Sequence, residues 1–322
     1  KMYFMNKGKK IKIEITHNPK DILVLILMGG REEERKISFM SGHLILDALT
    51  SKGYQIRTLE LSRDMNELIN IKKLNPDIIF NSLYGKKGED GVVQGFLEAL
   101  GLNCTHSGVT AAAIAGDKLY SKNIFESYGI KTPKFIATKW DKIIDSHPMK
   151  KPYVIKPRDE GSSLGIYIIK DQSPPIGTIL TTWPYNHNII IEEFIYGTEL
   201  STFILGNNCL TPISIHPARE KFFDYQRKYT INDTKYSIPA KVPNKIIELA
   251  KNNAFKIHEI LNLRGVSGFD FIYDHNREEL YLLEVNTHPG LTEFSLLPKV
   301  AKYHSIDYED ICTCIIEESL KQ

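Results

Sequence analysis

The stretch that most constrains this 322-residue chain is an apolar run that ends in a carboxylate, an amide and a Pro-Gly turn. The run contains Glu284 and Asn286 and turns at Pro289 and Gly290. Side chains alternate between the two faces of a strand, so Glu284 and Asn286 project from the same side. A second apolar run, residues 268–273, lies just upstream beyond a polar turn, so the two runs are expected to pair as a hairpin.

If this hairpin folds about residue 277, Asp270 lies opposite Glu284 and on the same face as Asn286. Carboxylate and amide oxygens are the ligands that hard cations prefer, and a magnesium ion bound beside phosphates suits them. The same residues would also fit an ordinary hairpin that carries surface acids. Spacing alone does not separate these two interpretations.

Composition excludes several classes of protein. With 42% hydrophobic and 25% charged residues, the chain suits a globular protein of two or three domains. A net charge of +2 gives no electrostatic reason to expect nucleic acid or a membrane surface as a partner. Four scattered cysteines do not make a disulfide framework, and Cys312 and Cys314 are expected to be buried or half-buried free thiols in a reducing compartment. No signal peptide or bilayer-length apolar run is recognised, so we expect a cytoplasmic protein.

The first hundred residues alternate between predicted strands and helices. Residues 22–28 form an uninterrupted aliphatic run, as in a buried parallel strand, and residues 54–59 and 77–83 are two further strands. After a charged loop, a helix is predicted over residues 38–51 with Ser38 as its N-cap, and another over residues 92–100. This alternation predicts a small open parallel sheet with helices on both faces.

The remaining chain reads as antiparallel strands and helices. A helix over residues 111–128 would end at Gly129, and strands 153–157 and 166–169 would pair across a glycine-serine loop. Strands follow at residues 189–195 and 200–205, then a polar, aromatic segment, residues 221–240, that suggests a long functional loop. Pro243 begins an amphipathic helix that runs to about residue 262, and a C-terminal helix follows the hairpin.

The loop from Gly161 to Gly165 has the composition of a phosphate-binding lid. Its small residues let backbone N–H groups approach phosphate oxygens, and Lys156 on the entering strand would add an ammonium group. The Walker A and dinucleotide-binding glycine patterns are both missing from the chain. Glu192 could accept from an adenine amino group, Phe194 could offer an aromatic surface, and Glu199 could accept from ribose hydroxyls. Taken alone, each of these residues also fits a surface position at a strand end.

Read in order, these blocks resemble the D-alanine–D-alanine ligases of the ATP-grasp superfamily, from Ile22 to the C-terminal helix. The matching blocks are Gly29-Gly30 with Glu34-Arg35 and Ile37-Ser38, Gly88 to Gly91, His106 to Val109, Asp117-Lys118, Lys156-Pro157 with Gly161 to Gly165, Asp224-Tyr225 with Lys228-Tyr229, and Glu284 to Thr287 with Pro289-Gly290.

The resemblance implies an α/β fold, α+β in its ATP-binding half, with three domains. An N-terminal open parallel sheet would precede two antiparallel-sheet domains that hold ATP between them. We place an N-terminal extension at residues 1–20 and the N-terminal substrate domain at residues 21–107. The central ATP-grasp lid domain would span residues 108–191, and the C-terminal catalytic domain residues 192–322.

The resemblance also implies the residues of the ATP site. Lys118 and Lys156 would neutralise the phosphates, with Ser162 and Ser163 on the closing lid. Adenine and ribose would contact Glu192, Phe194, Glu199 and Phe271, with backbone groups of Glu193 and Ile195 reading the adenine edge. Asp270, Glu284 and Asn286 would bind two magnesium ions, with manganese as a substitute.

For the amino acids, the resemblance implies two neighbouring sites. Glu34 would bind the ammonium group of the first D-alanine in a network with Ser162 and Tyr229, and Gly290 belongs with these catalytic residues. The second D-alanine would contact Ser295, Leu296, Tyr84 and the position of Gly268. Lys228 and Tyr229 would close over both substrates.

The activity so implied is ATP-driven ligation of two D-alanines through a D-alanyl phosphate, for peptidoglycan precursor synthesis. The implied assembly is a homodimer formed through the N-terminal domain. The reaction needs positioned nucleophiles, cations that face the developing phosphate charge, and exclusion of water from a hydrolysable intermediate.

Two positions depart from the family pattern, and both belong to the second substrate. Gly268 stands where the family typically carries Arg, a loss that elsewhere costs about 10²–10³ in rate when an oxyanion donor is removed. Tyr84 stands where the family usually has His. Arg264 or Arg219 are candidates to replace the missing cation. A ligase with a different acceptor, and an ATP- and D-alanine-binding protein with little turnover, therefore stay open as alternatives.

Overall fold

The computed structural model describes residue 11 and residues 13–144, 147–161, 165–173, 176–180, 187–216 and 234–321. The predicted site residues Ser162, Ser163, Lys228 and Tyr229 lie outside these ranges. So do Arg219 and most of the predicted functional loop. No helix in the described ranges is both long and apolar enough to span a membrane.

The N-terminal sheet is parallel, as the alternating pattern predicted. Its strands are β1 (Leu23–Gly29), β2 (Gln55–Leu61) and β3 (Ile78–Asn81), in the order β2-β1-β3, and Cys104 extends it by a parallel bridge to Ile79. Helices α1 (Glu32–Ser51) and α2 (Val92–Ala99) pack on it. Because both faces are covered, nearly every side chain of β1 is buried, which accounts for its uninterrupted aliphatic sequence.

Helix α1 begins six residues earlier than predicted, so the charged segment after β1 is its first turn rather than a loop. Glu, Arg and Lys are good helix formers, and Arg31 provides the extended residue before the helix. Ser38 is therefore not an N-cap. Its buried hydroxyl accepts from the Gly29 N–H at 2.9 Å and donates to the Ser82 carbonyl at 2.6 Å, which ties the carboxyl ends of β1 and β3 together.

The single helix predicted over residues 111–128 is also wrong. The structure has two helices, α3 (Val109–Gly116) and α4 (Lys118–Ser127), separated by Asp117 in an extended conformation. The Asp117 carboxylate accepts from the N–H groups of Leu119 and Tyr120 and so caps α4. Gly129 follows the end of α4 with φ +72°, as predicted. This break makes Lys118 the first residue of α4.

The second sheet is antiparallel and confirms the predicted pair around the glycine-serine loop. Its strands are β4 (Phe135–Lys139), β5 (Tyr153–Pro157), β6 (Tyr167–Ile169) and β7 (Asn188–Glu193), in the order β4-β7-β5-β6. A short helix, α5 (Ile176–Leu180), follows β6. The central strand β5 is buried along its whole length, including Lys156.

The third sheet contains the predicted hairpin. Its strands are β8 (Thr198–Leu205), β9 (Asn208–Cys209), β10 (Ile213–His216), β11 (Lys235–Ser237), β12 (Val266–Asp274) and β13 (Glu279–Asn286). The order is β11-β10-β8-β12-β13, with β9 paired to β8. Helices α6 (Asn244–Ile260), α7 (Leu296–Tyr303) and α8 (Tyr308–Leu320) complete the described fold.

One hydrophobic cluster joins the first sheet to the third. It contains Val24 and Ile26 of β1, Phe203 of β8 and Ile315 of α8. Cys312 and Cys314 are buried free thiols, as predicted. The proposed domain boundaries, which these contacts do not decide, stay a prediction.

The segment that precedes β1 is docked on α8. The Glu317 carboxylate, 1% exposed, accepts hydrogen bonds from the backbone N–H groups of Thr16 and His17 and from the Thr16 hydroxyl. The described part of residues 1–20 contains no strand.

Candidate active site

The hairpin has the register that its sequence predicted around the acidic residues. Asp270 on β12 lies opposite Glu284 on β13, and Gly268 lies opposite Asn286. A β-bulge directly after Asp270 leaves Leu283 without a partner on the opposite strand. The pairs between the bulge and the turn are therefore centred between residues 276 and 277 rather than on residue 277. The two carboxylates and the amide therefore project from one face of the sheet.

Neighbouring groups orient the oxygen atoms of this set. Ser201 lies opposite Asp270 on the other flanking strand, β8, and its hydroxyl donates to the Asp270 carboxylate. The His288 N–H donates to the Asn286 Oδ1 at 2.7 Å. The described residues hold no cluster of three or more His, Cys, Asp or Glu side chains that could enclose a metal ion. Two carboxylates and an amide instead suit an ion that shares its coordination with phosphate oxygens.

Lys118 faces this set from the start of α4. Its ammonium group lies 4.0 Å from the Glu284 Oε2 and donates to the Glu160 carbonyl at 2.6 Å. Burial lowers the pKa of Lys118, while the nearby Glu284 carboxylate opposes that shift. The lysine thus connects the loop after β5 with the acidic face of the third sheet.

Lys156 and Glu192 form a second charged group, and it includes a lysine that the sequence analysis missed. The Lys156 ammonium lies 2.8 Å from the Glu192 Oε2, and the Lys122 ammonium lies 3.0 Å from the Oε1. Lys122 is fully buried and also donates to the Thr132 hydroxyl at 2.7 Å. Its spacing four residues after Lys118, on the same face of α4, was the available signal.

These two lysines decide the ionisation of the carboxylate between them. Burial by itself would raise the pKa of Glu192, but the charges and hydrogen bonds of Lys122 and Lys156 together bring it below its usual value. Burial lowers the pKa of Lys122 to about 8, with Glu192 opposing the shift. The group is therefore an ionised carboxylate held between two ammonium groups away from water.

Three adjoining cavities share Asp270, and together they contain most of the predicted site. The first is lined by Lys156, the segment from Glu192 to Ile195, Glu199, Asp270, Phe271 and Glu284, the residues predicted for ATP. The second is lined by Tyr84, Lys118, Asp270, Glu284, Asn286 and Gly290. The third is lined by Gly268, Asp270, Asn286, Gly290, Ser295 and Leu296. A nucleotide in the first cavity would thus lie beside Asp270, Glu284 and Asn286, here called the acidic set, and next to the two cavities predicted for the amino acids.

Two predicted residues have further contacts that restrict their roles. The Glu193 carboxylate is paired with the Arg277 guanidinium at 2.7 Å, and the Glu193 N–H donates to the Lys134 carbonyl at 2.8 Å. This N–H is therefore not the group offered to adenine. Glu34 lies in the first turn of α1, is 1% exposed and packs closely against Gly85.

Glu89 is an acidic residue of the second cavity that the sequence analysis did not assign. Its carboxylate accepts from the Gly85 N–H at 2.9 Å. Burial and, to a smaller extent, the negative charges of Glu34, Asp90 and Glu284 together raise the pKa of Glu89 to about 7, whereas the Gly85 hydrogen bond opposes the shift. A carboxyl group beside the acidic set is therefore half protonated near neutral pH.

Comparisons with known proteins agree with this arrangement. A family model described as "D-ala D-ala ligase C-terminus" matches residues 124–317. A D-alanine–D-alanine ligase of Wolbachia pipientis wMel is 40% identical over 300 residues, which cover 92% of this chain and 94% of the relative. The chain belongs to the D-alanine–D-alanine ligase family.

Further relatives and solved structures extend the match over the whole fold. A D-alanine–D-alanine ligase of Gluconobacter oxydans is 36% identical and is covered over 99% of its length. The crystal structure of the Bacillus anthracis D-alanine–D-alanine ligase complexed with ATP has a TM-score of 0.79 at 30% identity, and the match covers 93% of this chain and 98% of that one. The fold is therefore the α/β ATP-grasp fold that the sequence predicted.

The contacts of Tyr84 and Arg264 bear on the two departures from the ligase family pattern. The Tyr84 hydroxyl donates to the Ser41 hydroxyl at 3.0 Å and accepts from the Leu291 N–H at 3.2 Å. Arg264 does not replace the cation expected at Gly268, because its side chain lies against Gly108 and lines a separate cavity beside α3.

Proposed function

We propose that this protein joins two D-alanines with ATP to give D-alanyl-D-alanine, ADP and phosphate, for peptidoglycan precursor synthesis. The observation that carries the proposal is the position of Asp270. This residue borders the cavity predicted for ATP and both cavities predicted for amino acids. Membership of the D-alanine–D-alanine ligase family supports the same reaction.

In the proposed reaction, the carboxylate of the first D-alanine attacks the γ-phosphate of ATP and forms an acyl phosphate. The amine of the second D-alanine then attacks the activated carbonyl, and phosphate leaves. The chain's contribution is to position both substrates and to face the transferred phosphate with cations. Lys156 lines the first cavity, and Lys118 and Lys86 line the second.

Magnesium fits the residues present. Asp270, Glu284 and Asn286 offer only oxygen atoms, and Ser201 and His288 orient them. These three residues would hold the ion or ions, with manganese as a substitute. Bound metal would neutralise phosphate charge during transfer. Lys118, 4.0 Å from Glu284, would still balance part of the acidic charge in the absence of metal.

Ser162, Ser163, Lys228 and Tyr229 keep their proposed roles on the lid and the closing loop. Glu34 would bind the first ammonium group, with Gly290 nearby. We also propose a homodimer formed through the N-terminal domain, where Val92 and Phe96 on one face of α2 are exposed apolar residues. The reaction would take place in the cytoplasm, where ATP is available.

The proposal is tested by the products formed from ATP and magnesium with D-alanine alone, and with D-alanine plus D-lactate or D-serine. Phosphate release with D-alanine alone, and a dipeptide identified by mass spectrometry, is the expected result. Nucleotide binding without product in any mixture would overturn it. Product only with a second acceptor present would assign a different ligase activity. Light scattering of the purified chain measures its oligomeric state.

A further inference from the structure

Two adjacent rows of side chains lie on the face of the third sheet that holds the acidic set. Strands β8, β12 and β13 bring Ser201, Asp270 and Glu284 into one row across the sheet. The next row on the same face consists of Phe203, Gly268 and Asn286. An aromatic ring thus lies in the same row as Asn286 and next to the row that holds Asp270 and Glu284.

The Phe203 ring occupies the space directly above Gly268. A Cβ atom at position 268 would lie 3.1 Å from the Phe203 Cε1 and 3.3 Å from the Cδ1. It would also lie 3.6 Å from the Pro289 Cβ. A side chain at position 268 would therefore compete with the ring for the same space, and glycine lets the ring pack closely against the strand.

The same ring forms part of a cavity wall. Phe203 and Gly268 line the third cavity together with Phe294, Ser295, Leu296 and Leu297. Among the described residues of that wall, the charged side chain is Asp270, and the wall combines polar side chains (Asn286 and Ser295) with apolar ones (Phe203, Phe294, Leu296 and Leu297). The volume open to water-sized groups is only about 80 Å³. A side chain that enters this cavity on the side of Gly268 therefore meets the Phe203 ring.

We propose that Phe203, seated on Gly268, is the residue that limits the size of the second amino acid. The inference rests on the proposed function, because Ser295 and Leu296 mark this cavity as the acceptor site. The Phe203 ring would contact the acceptor and restrict it to D-alanine or a D-amino acid of similar size. Removing the ring opens the site to longer aliphatic D-amino acids.

Phe203 also belongs to the hydrophobic cluster between the first and third sheets, so a purely structural role must be distinguished. Leu205 provides the matched control. It lies two residues further along β8, belongs to the same cluster and is 1% exposed, but it does not line the third cavity. Leu205→Ala should lose comparable core packing without changing the acceptor site.

The experiment compares the wild-type protein, Phe203→Ala and Leu205→Ala with D-alanine as first substrate. The acceptors are D-alanine, D-2-aminobutyrate and D-norvaline, and the product of each reaction is identified by mass spectrometry. We expect Phe203→Ala to raise the kcat/KM ratio of D-2-aminobutyrate to D-alanine about tenfold or more, since one methylene in an apolar pocket changes selectivity by roughly 10–200-fold. The KM for ATP should stay within about twofold in all three proteins.

An unchanged acceptor ratio in Phe203→Ala, or an equal change in Leu205→Ala, would overturn the inference. If Phe203→Ala does not fold, the kcat/KM ratio of D-2-aminobutyrate to D-alanine is measured with Phe203→Leu, which keeps more of the core volume. A wild-type protein that makes no dipeptide would instead refute the proposed function. The two failures are therefore distinguishable.

Discussion

Replacing Lys122 with methionine tests whether the buried charge between α4 and β7 supports nucleotide binding. Methionine keeps the length and most of the volume of the lysine side chain, so the change removes the ammonium group without opening a large cavity. Glu192 would then keep a single cation, Lys156, at 2.8 Å. The Thr132 hydroxyl would lose its hydrogen bond from Lys122.

Removing one partner of a buried ion pair costs about 3–5 kcal/mol, because the other charge stays buried without compensation. Since Lys156 still compensates Glu192, we expect the lower end of this range, about 3 kcal/mol. With an unfolding entropy of about 2.1 cal/mol/K per residue, this loss lowers Tm by roughly 4 °C for a chain of this length. Lys156 would also pair more tightly with Glu192 and less with phosphate, so we expect the KM for ATP to rise about tenfold.

Calorimetry and steady-state kinetics measure these two effects. Lys122→Met with Glu192→Gln should not recover the lost stability, because the Lys156 ammonium then stays buried without its carboxylate partner. It should not recover the affinity for ATP either, because Glu192 is itself proposed to bind adenine. Lys245→Met, which removes an exposed ion pair with Glu278, is the control and should change Tm by less than about 1 °C. A Tm of Lys122→Met equal to that of the wild type, or a double variant as stable as the wild type, would refute the reasoning.

Three further predictions follow from the pKa directions and contacts. Because the folded-state pKa of Glu89 is raised from 4.5 to about 7, the protein loses stability progressively as the pH rises between these values, and the full cost of ionising Glu89 is present above about pH 7. Glu89→Gln should therefore increase the free energy of unfolding by about 1–3 kcal/mol at pH 8 and by almost nothing at pH 4, measured by urea denaturation without magnesium. An equal gain at both pH values would contradict this. Burial raises the pKa of Glu317, but the hydrogen bonds of Thr16 and His17 bring it below the usual value, so the stabilisation is present above about pH 4.5 and is lost as the pH falls through the folded pKa. Glu317→Gln should cost on the order of 1–3 kcal/mol at pH 7, and the difference from the wild type should shrink below pH 4.5; a constant difference would argue against the contact. Gly268→Arg should raise the KM for the second D-alanine, because its Cβ would meet the Phe203 ring, and Phe203→Ala should reverse that increase in the double variant. A lower KM for the second D-alanine in Gly268→Arg would show that the Phe203 ring moves aside, and it would contradict this prediction.

Local patterns determined the elements that place the acidic set. The period of two along residues 268–273 and 280–286, with a short polar turn between them, determined which residues of the hairpin face each other. The pairing of Asp270 with Glu284 therefore followed from sequence alone, because the two strands are adjacent in the chain. The parallel first sheet and the family were predictable for a similar reason, since both depend on motifs that each lie within one short stretch.

Other features depended on residues that are distant in the sequence. Lys122 meets Glu192, and Phe203 covers Gly268, only after separate sheets and helices have packed. The sequence pattern did not predict the break at Asp117, because both flanking stretches have helical composition. In the structure, the Asp117 carboxylate caps the following helix and so separates it from the preceding one. The sequence by itself thus determined the fold, the family and the acidic face of the hairpin. Only the tertiary structure decided which buried lysine balances Glu192 and which ring lines the third cavity, because both contacts join residues that are distant in the sequence.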